Sequence, residues 1–210
     1  MKTEQTRVAV VALLVLTAAE QIQATYVAFF SRGADAAGFN YWVNEFVTEL
    51  PIRGPAPLFA NISTSFGLSV EAKGLYPFLA HPQGSSDGDI SSFLDGVYHN
   101  MFNRGSDAAG LTYWTGQIKQ ALAAGDFVGS VLVNIISGTQ NTADGQDITT
   151  LMGKVAVGLE YVHEQQAHNT QWAGASDVAA ATVLLHAVTS DPQTVLVGVK
   201  NADALIAAHA

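Results

Sequence analysis

Cysteine is absent from this chain of 210 residues, which excludes disulfides, zinc–thiolate centres and thiol chemistry. Charge is also scarce: only 13% of residues are charged, against 49% apolar. Such a balance implies large buried faces or contact surfaces, and the length suffices for one or two domains with a real core. Basic side chains are the rarest class, nine Lys and Arg against 18 Asp and Glu, giving a net charge of −9. A surface of that sign excludes nucleic acid as a natural partner. Nucleotide-cradling glycine motifs and the G-x-S-x-G nucleophile turn are missing as well. Finally, no alternating run is convincing enough for a strand, although residues 8–16 and 195–199 are rich in β-branched side chains. The fold class expected is all-α.

What is present is a motif written twice. Residues 26–42 read YVAFFSRGADAAGFNYW and residues 98–114 read YHNMFNRGSDAAGLTYW. They agree at Tyr26/Tyr98, Phe30/Phe102, Arg32/Arg104, Gly33/Gly105, Asp35/Asp107, Ala36/Ala108, Ala37/Ala109, Gly38/Gly110, Tyr41/Tyr113 and Trp42/Trp114. Ten identities in seventeen positions, where chance gives about one, establish an internal repeat. Its offset is 104 − 32 = 72 residues.

Each copy has the pattern helix, tight corner, helix. Before the second corner, Ile90, Phe93, Leu94, Val97, Tyr98, Met101 and Phe102 form one apolar helical stripe. Arg104-Gly105 breaks it, the glycine being expected in the left-handed conformation. Asp107 then accepts backbone N–H bonds at the start of the next helix, which presents Leu111, Trp114, Ile118 and Leu122 on one face. Copy one repeats the scheme with Asp35 as cap and Phe39, Trp42, Val43, Phe46, Val47 and Leu50 inward. The arginine is expected to pin the corner, through the Asp three positions on or through the last carbonyls of the first helix. Tyr and Trp side by side diverge by about 100° on a helix. Trp42 and Trp114 are therefore expected in the core, and Tyr41 and Tyr113 at the rim with bonded hydroxyls.

Around the repeats the chain divides into three parts. Residues 1–19 place Lys2 and Arg7 before an apolar run that is too short to span a bilayer. They read either as a signal segment ending near Ala19 or as the start of a helix continuing to Phe30. Residues 20–166 form the two-repeat helical domain. Within it, Pro51, Gly54, Pro55 and Pro57 predict a non-helical connection. Short helices follow over 58–66 and 69–73, with Gly74 as a stop. Residues 81–89 are a loop whose end caps the helix of copy two. Asp126 is expected to cap a helix over 127–136, and Asp147 to open a long one reaching about Gln166, with Leu151, Val155, Leu159 and Val162 inward. Residues 167–210 form a C-terminal helical layer, one helix starting at Ser176 and another at Asp191-Pro192, where proline at the first helical position loses no bond.

Candidate chemistry is sparse. His163 and His168 are separated by five positions, whereas two zinc-binding histidines on one helix face need four, so they read as surface polar residues. Asp87, Asp89, Asn141, Asp144 and Asp147 lie in glycine-containing stretches that offer oxygens for calcium, but without EF-hand spacing; capping and turn formation are the first explanation of them. Trp172, beside His168, Asn169, Thr170 and Gln171, is the aromatic most expected to be exposed and available to stack on a sugar. No pair of acids stands out for glycoside hydrolysis.

The pattern Arg, two residues, Asp, two residues, Gly, two residues, Tyr-Trp resembles the repeat of a bacterial domain of unknown function found in S-layer, RTX-type and other exported surface proteins. Arg32, Asp35, Gly38, Tyr41 and Trp42 carry it once, and Arg104, Asp107, Gly110, Tyr113 and Trp114 again. Residues 150–161, TLMGKVAVGLEY, are similar to that family's closing helix, so the resemblance covers about residues 17–164. It implies an all-helical module at the extracellular face of a bacterium, and some S-layer proteins use such helical regions to hold their lattice to lipopolysaccharide. Family members also carry glycine–aspartate nonapeptides that bind calcium, none of which occurs here. The expectation is a non-catalytic surface module that associates with itself or with cell-surface glycan, calcium bridging the acidic surface to anionic sugar phosphate. An intracellular helical scaffold and a glycan hydrolase are the other classes.

Overall fold

A computed structural model describes residues 16–139, 145–170 and 174–208, and every regular element among them is helical. The first repeat supplies α1 (Ala18–Phe30) and α2 (Ala36–Arg53), followed by α3 (Pro55–Gly67), α4 (Val70–Leu75) and a 3-10 turn (Pro77–Ala80). The second supplies α5 (Asp87–Phe102) and α6 (Ala108–Ala123). Then come α7 (Gly129–Gly138), α8 (Gln146–Ala167), α9 (Ala175–His186) and α10 (Pro192–Ala207).

The innermost element is α1. Residues 21–30 are all buried, because α2, α3, α4, α5 and α8 pack around them. Its polar side chains are buried too, and bonding inside the helix cluster makes that tolerable. Gln23 donates from Nε2 to the Arg32 carbonyl (3.4 Å) and accepts from the Ala34 N–H (3.3 Å). Thr25 donates to the Gln21 carbonyl at 2.8 Å. The helix starts at a capping box in which Thr17 and Glu20 satisfy each other's backbone N–H. Thr17 is extended, at ψ 163°, and caps α1, which begins at Ala18; residues 1–15, read as a signal segment or as the start of this helix, lie outside the described residues.

Several boundaries differ from expectation for local reasons. Pro51 lies inside the last turn of α2, and Gly54 (φ 75°) alone breaks the chain before Pro55 opens α3 at its first position. A proline in a final turn loses little, since the bond from Gly54 N–H to the Leu50 carbonyl still closes the helix (3.0 Å). Gly74 is likewise helical, α4 ending at Leu75. Asp126 does not cap α7, whose cap position is Val128, with no side-chain cap bond. Ser176 lies within α9, and α8 is preceded by Gly145 at φ 66° rather than capped by Asp147. The Ser86–Asp89 capping box of α5 and the Asp191 cap of α10 are as expected.

The second organising helix is α8, which contacts α1, α2, α5, α9 and α10. Leu151, Val155 and Val162 are buried along it and Leu159 is half-buried. Gly153 and Gly198 let α8 and α10 approach, since a Cβ at Gly198 would lie 2.7 Å from Val157. Leu184, Leu185, Val188, Ala202 and Ile206 of the C-terminal layer join the same apolar core as the repeats. The first helices of the two repeats also meet, with Phe29 against Phe93 and Asn100 donating to the Ala28 carbonyl at 2.9 Å.

Among the described residues the most deeply buried charged group is a lysine. Lys154 on α8 is fully buried, donating to the Asn100 carbonyl (2.5 Å) and to Asn103 Oδ1 (2.6 Å). Burial pushes its pKa down to about 8 from 10.5. Between those values the unfolded chain holds the extra proton, so stability rises with pH; below about 8 both states are protonated and the full cost remains. The gap corresponds to about 3 kcal/mol. Buried Tyr161, pushed up to about 12, acts oppositely above its ordinary 10, as do Tyr76 and Tyr98. Urea denaturation is expected to show stability rising by about 2 kcal/mol from pH 8 to roughly 9.5 and falling at higher pH. In Lys154→Met the rise should vanish; a rise of equal size there would assign it to another group.

Candidate functional site

The two corners have the same construction. The last helical residue is followed by a left-handed residue, Ser31 (φ 56°, ψ 27°) in one copy and Asn103 (φ 57°, ψ 25°) in the other. The left-handed position is therefore one residue before the arginine and is not taken by Gly33 or Gly105. Asparagine tolerates it well, serine less so. Both residues are held from the C-terminal layer: Ser31 Oγ lies 2.9 Å from His186 Nε2, and Asn103 donates to the Val188 carbonyl at 2.7 Å. Gly33 is required by close approach, because a Cβ there would sit 2.9 Å from the Tyr161 ring.

Asp35 and Asp107 cap as expected, accepting from Gly38 N–H (2.7 Å) and Gly110 N–H (2.8 Å). That bond holds the Asp107 carboxyl below its usual range. The Tyr26 hydroxyl sits over Gly38 and bonds to Asp35, its pKa raised first by burial and then by the Asp35 charge. In copy two Tyr98 accepts instead from Trp114 Nε1, at 2.9 Å.

The arginines differ from expectation in their partner. Each forms a two-pronged bond to a carboxylate on a distant helix. Arg32 donates through Nε and Nη2 to Glu71 on α4, both at 2.8 Å. Arg104 donates through the same atoms to Asp147 on α8, at 2.9 and 2.5 Å. In both copies Nη1 donates to the carbonyl of the following glycine at 3.0 Å. Each guanidinium also lies against the aromatic pair of its own first helix, Tyr26 and Phe30 at 5.2 Å, Tyr98 and Phe102 at 5.4 and 5.8 Å. The bond to Asp147 holds the Arg104 guanidinium even more firmly protonated than usual.

The copies are not equally closed. Arg32 is 4% exposed, whereas 42% of the Arg104 side chain is open. A cleft of about 470 Å³ adjoins Arg104, with Phe102, Asp107, Gln146, Asp147, Thr150, Thr189 and Ser190 in its wall. Asp107 and Asp147 are its carboxylates. One caps α6 through Gly110 N–H and the other is bonded to Arg104.

The remaining predicted residues do not gather. Asp87 pairs with Lys119 (2.6 Å) and Asp89 closes the capping box, both at the start of α5. Asp147 meets the other end of that helix through Arg104, and a helix of 16 residues is about 24 Å long. These three acids therefore form no common calcium site. Asn141, Asp144 and Trp172 lie outside the described residues. Trp42 and Trp114 are half-buried against the core, while Tyr41 and Tyr113 are 59% and 46% exposed. The tyrosine hydroxyls have no partner among the described residues, contrary to expectation. Val47, expected inward, is 58% exposed.

The acids that complete the corners, Glu71 and Asp147, are separated from their arginines by 39 and 43 positions. No local pattern identifies either.

Gly33→Ala is expected to lower stability in urea denaturation by about 1–3 kcal/mol, because the Tyr161 ring cannot withdraw from the core. Gly105→Ala should cost about 1 kcal/mol or less, since the atom it meets is Asp95 Oδ1 at 2.9 Å, the end of a side chain that can turn to solvent. Equal costs would contradict the difference in closure of the two copies. Comparison with protein-family models, with curated proteins and with solved structures finds no match to this chain.

Proposed function

We propose that the chain is a non-catalytic surface module that associates with itself or with cell-surface glycan of the lipopolysaccharide type, calcium bridging its acidic surface to anionic sugar phosphate. The observation that carries this reading is the use of the duplicated polar residues. Arg32, Asp35, Arg104 and Asp107 are all engaged in capping and in tying helices together. The strongest signal in the sequence thus builds a scaffold, and these four side chains are spent on it.

The surface supports association. Large apolar side chains stand in solvent at Tyr41, Ile52, Val70, Tyr113 and Val183, and Val70 is 90% exposed. Shape-complementary apolar contact is the means available to a chain with so few charges. With a net charge of −9, direct approach to an anionic glycan is unfavourable, and a divalent ion offsets the repulsion. Among the described residues no helix is long and apolar enough to cross a membrane, so attachment through glycan or through copies of itself is the mode this part of the chain offers.

Co-sedimentation with bacterial envelopes and with extracted lipopolysaccharide, in millimolar calcium and again in chelator, tests the reading. Pelleting with envelopes that chelator abolishes is the expected result for anchoring, and pelleting alone is expected for self-association. A chain that stays soluble in every condition contradicts both.

A further inference from the structure

We propose that the last turns of α8 form a binding site for a borderline divalent metal ion of the zinc class, built by Glu160, His163 and Glu164 with His168 beside them. This inference is independent of the function proposed above. The spacing i, i+3, i+4 puts the first three side chains on one helix face, and their potential ligand atoms all lie within 4.8 Å of one another. His163 Nδ1 is 3.3 Å from Glu164 Oε1 and 3.8 Å from Glu160 Oε1. Ligands bound to zinc at about 2.0–2.1 Å in a tetrahedron lie about 3.3–3.4 Å apart. The His163–Glu164 separation already matches, and a small rotation of Glu160 brings in the third donor. On the other side of Glu164, His168 Nε2 lies 3.5 Å from Oε2. The two histidines, five positions apart, do not share a face, but Glu164 lies between them and reaches both. His168 or water can fill the fourth position.

Two further features favour an ion over a simple surface network. First, among the described residues the ion-pair partners of Glu160 and Glu164 are histidines, with no Lys or Arg. Two carboxylates four positions apart repel each other on a helix unless a cation lies between them. Second, the backbone beneath is fixed. Gln165 accepts from the Ala36 N–H at 3.1 Å and donates to the Ala34 carbonyl at 3.0 Å, while Gln166 donates to Asn40 at 2.9 Å. Ligands carried on a held helix lose little freedom on binding. Imidazole nitrogen with carboxylate oxygen selects zinc, nickel, cobalt or copper over calcium and magnesium, which prefer all-oxygen cages.

The test is calorimetric titration of the untagged full chain, stripped with chelator, using zinc and separately calcium. One zinc per chain with micromolar affinity is expected, and no competition by millimolar calcium. His163→Ala and Glu164→Gln should each weaken zinc at least about tenfold. The His163 side chain is 67% exposed, so its removal leaves the fold intact, as circular dichroism would verify. His99→Ala, on α5, should bind as the parent does. Failure to bind submillimolar zinc, or unchanged affinity in His163→Ala or Glu164→Gln, overturns the proposal.

Discussion

A guanidinium cannot shed its charge to suit its surroundings, and in both repeats, at the buried Arg32 and the half-open Arg104, a carboxylate from elsewhere in the chain meets it. That pairing fixes much of the architecture. Arg32 leaves the end of α1, bends back over Tyr26 and Phe30, and fastens α4 through Glu71. Arg104 does the same from the end of α5 and fastens α8 through Asp147. Removing one member of such a pair strands the other, which is why a pair of this kind constrains geometry even where it contributes little net stability. Tightness of the corner, in turn, depends on Gly33 lying under Tyr161 of α8. The repeat unit is therefore incomplete in itself. Each copy is finished by a helix outside it, and α8 serves both.

The copies have diverged in what surrounds them. Copy one is closed, with its arginine buried, whereas copy two is open on the side of a polar cleft. The C-terminal layer contributes to both corners, holding Ser31 through His186 and Asn103 through Val188. It is also linked to Lys154 there, since Asn103 accepts from that amine and donates to the Val188 carbonyl. A buried cation paired only with neutral oxygens costs stability near neutral pH, and its position at this junction suggests that geometry, not stability, is what it supplies.

Legibility in the sequence followed the range of the interaction. The apolar stripes of α5 and α8 and the caps at Asp35, Asp107 and Asp191 obey local periodicity and local hydrogen bonding, so they were visible without structure. The all-helical class was visible for the same reason. Partners set by tertiary packing were not: nothing near Glu71 or Asp147 in sequence marks them as mates of the arginines. The left-handed residues lie two positions before the glycines that the local pattern favours, and Gly33 answers a steric demand from Tyr161, 128 positions away, that no local spacing rule expresses. Burial of Gln21 and Gln23 on α1 also defied the apolar-stripe rule, since a helix enclosed by five others buries every face. Pro51 was read as a breaker although the final turn of α2 accommodates it.

The central claim is that the duplicated arginine is a structural tie whose energy depends on its distant acid. A double-mutant cycle on Arg32 and Glu71, using Arg32→Met, Glu71→Gln and both together in urea denaturation, measures that dependence directly. The account predicts a coupling of about 2 kcal/mol, the double variant being much less destabilised than the sum of the singles. Additive losses, with coupling below about 0.5 kcal/mol, would contradict it.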